Sequence, residues 1–242
     1  VIDMKGWQDY ADAVLLAWQP GQEAGNSIVD ILSGKVNPSG RLATTFPLNY
    51  SDVPSAKNFP GFPESNPVNV TYQEGIYVGY RYYDTFNIPV SYEFGFGLSY
   101  TNFNLDNVSI GKPKKDGSVE VNCTVKNTGQ LAGQQVIQLY VSALNDKIDK
   151  PEQELKAFVK SKLLEPGESQ QMHFLIEVKD LASYYSGQSA WIADAGKYFV
   201  RLGFSSRNIQ TTGSFLLEKE VIVEKTNQVL LPENNIDELK GI

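Results

Sequence analysis

The sequence of 242 residues contains one cysteine, one histidine, two methionines and three tryptophans. One cysteine cannot close an internal disulfide, and one histidine with one cysteine cannot build a typical zinc site. Positive charge is also short, with 21 Lys and Arg against 28 Asp and Glu, for a net −7. That balance gives no basic face and excludes nucleic acid as an expected partner. No run approaches the ~20 apolar residues of a membrane helix, so no membrane span is expected. No Gly-x-Ser-x-Gly elbow occurs, and the turn Trp18-Gln19-Pro20-Gly21 carries a single glycine. Histidine-assisted nucleophilic catalysis and a phosphate-cradling loop are both rejected on those grounds. No charged and apolar leader follows Val1, as a secretory signal requires.

What is present divides in two. Ala13-Val14-Leu15-Leu16-Ala17-Trp18 is a continuous apolar run of the kind found in a buried parallel strand. Pro20-Gly21 breaks it, and Gln22 to Ser33 places Ala24, Ile28, Ile31 and Leu32 at helical spacing before Gly34. Strand, turn and helix make half of a βαβ unit, and a parallel strand needs neighbours that this region does not supply. The expectation is a sheet completed by residues upstream of Val1. Residues 35–70 are rich in Pro, Asn and Ser, with Phe46, Phe59 and Phe62 interleaved. So long an irregular stretch implies packing along another surface.

Residues 72–100 are dense in Tyr and Phe with Gly75, Gly79, Gly95 and Gly97 between them. Two readings fit, a stacking platform for sugar rings or the packing of a domain junction, and the second is the simpler. From residue 103 the pattern becomes all-β: Val119, Val121, Cys123 and Val125 alternate with polar residues, as do Ile137, Leu139 and Val141. Further strands are expected over Phe158 to Leu164, around Met172, Phe174, Ile176 and Val178, over Tyr198 to Leu202, and at Phe215-Leu216-Leu217. About seven short strands over roughly 115 residues suit an immunoglobulin-like or fibronectin type III-like sandwich. Cys123 falls on the apolar side of its strand, as an inert buried thiol, and His173 on the polar side, as a solvated one. The tail from Glu218 to Ile242 could add a strand or clasp a neighbour.

Chemistry based on paired carboxylates remains open, since glycosidases need two, roughly 5–10 Å apart. Glu23, Glu74, Asp84 and Glu93 are candidates for one member. Glu23 in a first helical turn has a sufficient dipole role, and the others can anchor loops through backbone N–H groups. Spacing nominates no pair.

Several ordered motifs resemble glycoside hydrolase family three. Ala17 to Asn26, Asp30 to Leu42 and Thr45-Phe46-Pro47 resemble its α/β sandwich domain, and Glu74 to Asp84 with Tyr92 to Tyr100 continue the likeness. Lys150-Pro151, Glu154 to Phe158, Leu164 to Glu168, Asp180-Leu181-Ala182 and Gly203-Phe204-Ser205-Ser206 resemble its fibronectin type III-like domain. The resemblance spans residues 11–212 and implies α/β plus all-β architecture. Residues 1–101 would be the C-terminal part of the α/β sandwich domain, 102–217 the β sandwich and 218–242 a tail. It further implies a retaining β-glycosidase, most similar to β-glucosidases, acting on a β-linked oligosaccharide or glucoside without cofactor or metal. The nucleophile Asp, on an N-terminal barrel, and the acid/base Glu are implied upstream of Val1. No catalytic residue is therefore expected here, and the chain alone is expected to be inactive.

The rival expectations are a stand-alone carbohydrate-binding or adhesion module and a pure scaffold. Asn49-Tyr50-Ser51, Asn69-Val70-Thr71, Asn107-Val108-Ser109 and Asn122-Cys123-Thr124 fit the glycosylation pattern. A periplasmic or secreted location is the first expectation and the cytoplasm the alternative. Nothing in the sequence sets an oligomeric state.

Overall fold

The computed structural model describes residues 1–143, 147–229 and 234–241. Leu230 and Leu231 of the tail, and the first half of its Pro-Glu-Asn-Asn break, lie outside the described residues. The first hundred residues are sparse in regular structure: α1 (Ala24–Leu32), β1 (Phe46–Pro47), α2 (Tyr80–Thr85) and β2 (Val90–Tyr92). The remainder carries β3 (Phe103–Ile110), β4 (Val119–Asn127), β5 (Val136–Ala143), β6 (Glu154–Lys160), β7 (Ser169–Ile176), β8 (Ser183–Tyr185), β9 (Ala190–Ala193), β10 (Gly196–Gly203), β11 (Ile209–Leu217) and β12 (Val221–Lys225).

Two antiparallel sheets, β3-β4-β7 and β11-β10-β5-β6, form the sandwich. Alternation dictates which side chains fill it. Val119, Val121, Cys123 and Val125 of β4 face Met172, Phe174 and Ile176 of β7 and Ile137, Leu139 and Val141 of β5 in one buried cluster. Seven strands in those two sheets meet the expectation of a fibronectin type III-like sandwich. A third small sheet, β12-β9-β8, was not legible, because its strands are three to five residues long. The tail does add a strand, β12, antiparallel to β9. Strand β6 begins at Glu154, ahead of the expected Phe158, because its ladder to β5 runs from Val136↔Lys160 to Val141↔Glu154.

Ala13–Trp18 is corrected: it joins no ladder among the described residues, and Trp18, at φ +54°, is 54% exposed. A parallel strand forms only beside partners, and none of the described strands lies next to it. Helix α1 starts four residues beyond Pro20, so Glu23 is its N-cap position and not part of the first turn. The helix ends as expected, with Gly34 at φ +76° and its N–H donating to Ile31 O at 2.9 Å. Its outward residues Val29 and Leu32 are 61% and 68% exposed. Phe59 and Phe62 are likewise open, whereas Phe46 is buried.

Candidate functional site

Strand β5 is buried on both faces. Its inner face fills the sandwich, and its outer face, with Gln138 and Tyr140, is covered by the Tyr-rich segment. Tyr80 stands between Phe94, 4.9 Å away by ring centroids, and Tyr140, 5.8 Å away and edge-on. Such offset and edge contacts suit the ring quadrupoles. The Tyr80 hydroxyl accepts the Leu155 N–H of β6 at 2.7 Å. Burial is the main cause raising its pKa. Tyr77 and Tyr83 are buried too, against the rings of Phe86 and Tyr82. The aromatic segment thus packs a junction, apart from exposed Tyr72 and Tyr100.

Glycine permits the close approach. Gly95 has φ +85°, and a Cβ there would lie 2.3 Å from Gln138 Nε2. The Gly95 N–H donates to Leu42 O and the Leu42 N–H to Phe96 O, both at 2.8 Å. The Ser206 N–H reaches Phe94 O at 2.9 Å. The segment around Asn37 continues the joint. Its side chain donates to Ala132 O at 2.9 Å and accepts from Tyr100 N–H at 2.8 Å, while the Tyr100 hydroxyl donates to Ile31 O of α1 at 2.9 Å. Arg41 donates to Gln135 Oε1 at 2.5 Å, and burial lowers its pKa.

Three of the four candidate carboxylates are taken up by different hydrogen-bond partners. Glu23 Oε2 accepts from Asn26 Nδ2 at 2.5 Å on the surface. Asp84, with its side chain 7% exposed, accepts from Arg207 Nε at 2.8 Å and Gln153 Nε2 at 3.2 Å. Arg207 also donates to Tyr83 O and Ile88 O, at 3.0 and 2.9 Å. Glu93 Oε1 accepts from Ser205 Oγ at 2.6 Å. Glu74 has a buried carboxylate oxygen with no hydrogen-bond partner among the described residues. No two of these carboxylates share a partner in the hydrogen bonds just described. Asp84 and Glu93 serve as joints to Arg207 and Ser205 of the β sandwich. His173 is exposed with Nδ1 2.9 Å from Asn122 Oδ1, and Cys123 is buried, its thiol pushed up to about 11 by burial.

A buried ionic cluster was missed by sequence reasoning. The Asp194 side chain is 0% exposed and meets Lys150 Nζ at 2.9 Å, Lys147 Nζ at 3.2 Å and the Tyr185 hydroxyl at 2.6 Å. Burial pushes this carboxyl up, but the donated bonds from Tyr185, Lys150 and Lys147 outweigh it and hold the pKa at about 2. Beside it the tail returns: the Tyr77 hydroxyl and the Gly241 N–H donate to Asp149 Oδ1 and Oδ2 at 2.5 and 2.7 Å. The Leu239 N–H also donates to Gln73 O at 2.7 Å. The only sequence signal is Lys150-Pro151, one of the motifs that carry the family resemblance. Among the described residues no cluster of three or more His, Cys, Asp or Glu could hold a metal, and no helix is long and apolar enough to cross a membrane.

This architecture has close relatives. Residues 1–80 match the glycosyl hydrolase family 3 C-terminal domain, and residues 135–206 match a fibronectin type III-like domain. Thermostable beta-glucosidase B of Acetivibrio thermocellus is 40% identical over 221 residues, covering 90% of this chain and 29% of that protein. An exo-alpha-(1->6)-L-arabinopyranosidase of Bifidobacterium breve is 36% identical over 90% of this chain and 28% of its own length. The solved structure of beta-glucosidase 3B from Thermotoga neapolitana in complex with glucose superposes with a TM-score of 0.86 at 50% identity, over 91% of this chain and 30% of that one. The chain thus spans under a third of the length of these relatives. Through its C-terminal domain and the sandwich joined to it, the chain belongs to glycosyl hydrolase family 3.

Proposed function

We propose that this chain supports the active site of a retaining β-glucosidase-like hydrolase, whose nucleophile Asp and acid/base Glu lie upstream of Val1. In that mechanism the Asp attacks the anomeric carbon, the Glu protonates the leaving oxygen, and the Glu then activates water. The observation that carries the proposal is an open α/β half beside a closed sandwich. Val14, Leu15, Trp18, Val29 and Leu32 are all exposed, and Ala13–Trp18 has no strand partner among the described residues. Apolar surface of that kind normally meets another surface. Glu23, Asp84 and Glu93 are engaged by Asn26, Arg207 and Ser205, and no carboxylate of residues 1–101 is promoted to catalysis.

The role assigned to residues 1–101 is preorganisation: completing the sheet that carries the acid/base loop, where small misplacement is costly. Leu239 and Gly241 of the tail, bonded to Gln73 and Asp149, clasp that half onto the sandwich. Substrate specificity is left to the upstream residues, in keeping with relatives named for both a β-glucosidase and an arabinopyranosidase activity. A periplasmic or secreted enzyme is the preferred setting. The test is turnover of an aryl β-glucoside by the purified chain. No hydrolysis is expected. Measurable turnover overturns the placement of the carboxylates, and a reading frame before Val1 that encodes no barrel overturns the hydrolase reading.

A further inference from the structure

The covered outer face of the β11-β10-β5-β6 sheet does not extend to its end. Where the Tyr-rich segment stops, a cavity of about 620 Å³ opens on the sheet. Its floor is Phe199 beside its cross-strand partner Ser142, and Arg201 beside Thr212. Its wall is the loop Asp149-Lys150-Pro151-Glu152, with Gly241 of the tail at one side. The volume falls within the range of small-molecule sites, roughly 300–1,000 Å³.

The lining says what class of molecule fits. Lys150 is paired with Asp194, Arg201 with Glu152, and the Asp149 oxygens accept from Tyr77 and Gly241, so the lining offers no unpartnered charge. Arg201 Nη2 meets Glu152 Oε1 at 2.5 Å, and the Glu152 side chain is half exposed. A guanidinium and a carboxylate side by side present several donors and an acceptor, which matches adjacent hydroxyl groups. Phe199 is half-buried and carries Lys197 Nζ 4.8 Å from its ring centroid. That ring already receives one electropositive group, and the polarised C–H face of a pyranose is another of the same kind. The Lys150–Asp194 pair and the Asp149 bonds to Tyr77 and Gly241 hold the wall in place.

We propose that this groove is a saccharide-binding site for a short neutral β-linked oligosaccharide. Sugar stacks on Phe199 and hydrogen-bonds the Arg201–Glu152 pair. The groove's chemistry stands by itself, while the choice of a β-linked glucan rests on the proposed hydrolase function.

The experiment titrates the full chain with cellotriose and follows backbone amide shifts by NMR. Saturable shifts centred on Phe199, Arg201 and Glu152 are expected, with affinity reduced at least tenfold in Phe199→Leu and in Arg201→Ala. Phe199→Leu keeps apolar volume, and the amide spectrum reports that each variant is folded. Three results overturn the site: no saturable shift at tens of millimolar, shifts centred on Phe59, Phe62 and Tyr72, or equal binding by folded Phe199→Leu. Tighter binding of a uronate disaccharide overturns the assignment to a neutral ligand. Binding without turnover leaves the proposed function intact, the absence of both removes only the groove, and turnover with or without binding overturns the placement of the carboxylates.

Discussion

Replacing Asp194 by Asn tests whether the buried ionic cluster organises the wall of the groove. The substitution keeps the shape of the side chain but removes the counter-ion of Lys150, whose side chain is only 9% exposed. The carboxyl sits at about 2 against its ordinary 3.8. Burial pushes it up, and bonds from Tyr185, Lys150 and Lys147 bring it below the unfolded value. A depression of that size corresponds to about 2 kcal/mol of folding stability. Stranding a buried ammonium costs up to about 3–5 kcal/mol when one partner of a buried pair is removed. The expected loss for Asp194→Asn at neutral pH is therefore about 2–4 kcal/mol, or roughly 5–12 °C in Tm for a chain of this size. The sign with pH follows from the depressed value. The Asp194 contribution is complete above the unfolded pKa and disappears as pH falls through the folded one. The gap between wild type and variant should be constant above about pH 5 and close between about pH 4 and pH 2. Urea unfolding followed by near-ultraviolet circular dichroism across that range measures it. Equal stability at pH 7, or a gap that persists undiminished at pH 2, refutes the reasoning.

Gly95→Ala should cost about 2–4 kcal/mol, because it combines a positive φ with a Cβ placed against Gln138. Gln138→Ala alone strands Phe204 O and the Tyr140 hydroxyl, so the steric part is read as a favourable coupling between the two substitutions in a double-mutant cycle followed by thermal unfolding. Deleting residues 234–242 removes the bonds from Leu239 to Gln73 and from Gly241 to Asp149. It should cost about 1–2 kcal/mol and speed amide exchange around Tyr77, and unchanged exchange counts against a clasp. Cys123, 2% exposed and with its thiol pushed up to about 11, should resist a thiol reagent at pH 8 in the native chain and react fully in denaturant.

The sandwich was legible because its strands obey a period of two with one face wet. Met172, Phe174 and Ile176 alternate with exposed neighbours, including His173, and the alternation alone orients β7. Strand β5 broke that rule. Gln138, Tyr140 and Ser142 read as a solvent face and are buried, the first two under the Tyr-rich segment and Ser142 beside the loop at Glu152. The Gln138 amide still donates to Phe204 O at 2.9 Å, and the Tyr140 hydroxyl finds the Gln138 carbonyl. A satisfied polar side chain under a neighbouring segment leaves no mark in local periodicity. Ala13–Trp18 failed in the opposite sense. Its apolar run carried the signature of a buried strand, yet burial is a property of partners and none lies beside it among the described residues. Of the site, the resemblance located the motifs, but it did not show that Asp84 and Gly203-to-Ser206 belong to one joint or that Lys150 enters a buried cluster. Those facts depend on contacts separated by 44 to 123 positions in sequence.

The joint also explains how a β sandwich without evident chemistry can serve a hydrolase. Helix α2 has six residues, too short to be stable alone. Its position is set from outside by Arg207, which spans Asp84, Tyr83 O and Ile88 O, and by Leu155 N–H on the Tyr80 hydroxyl. The sandwich therefore places α2, and residues 80–94 follow. Gly95 and Phe96 then pair with Leu42, Arg41 reaches Gln135, and Asn37 ties Tyr100 to Ala132. Tyr100 closes the series on the last turn of α1. Each link is a hydrogen bond between segments that have little regular structure of their own. Their geometry is thus inherited from the ladder of β5, β6 and β10. On the proposed function, a sheet half that holds a catalytic loop gains from such a reference frame. The same frame explains why Asp84 and Glu93 are carboxylates: each meets a donor from the sandwich across the joint, where an apolar residue would leave Arg207 or Ser205 without its partner.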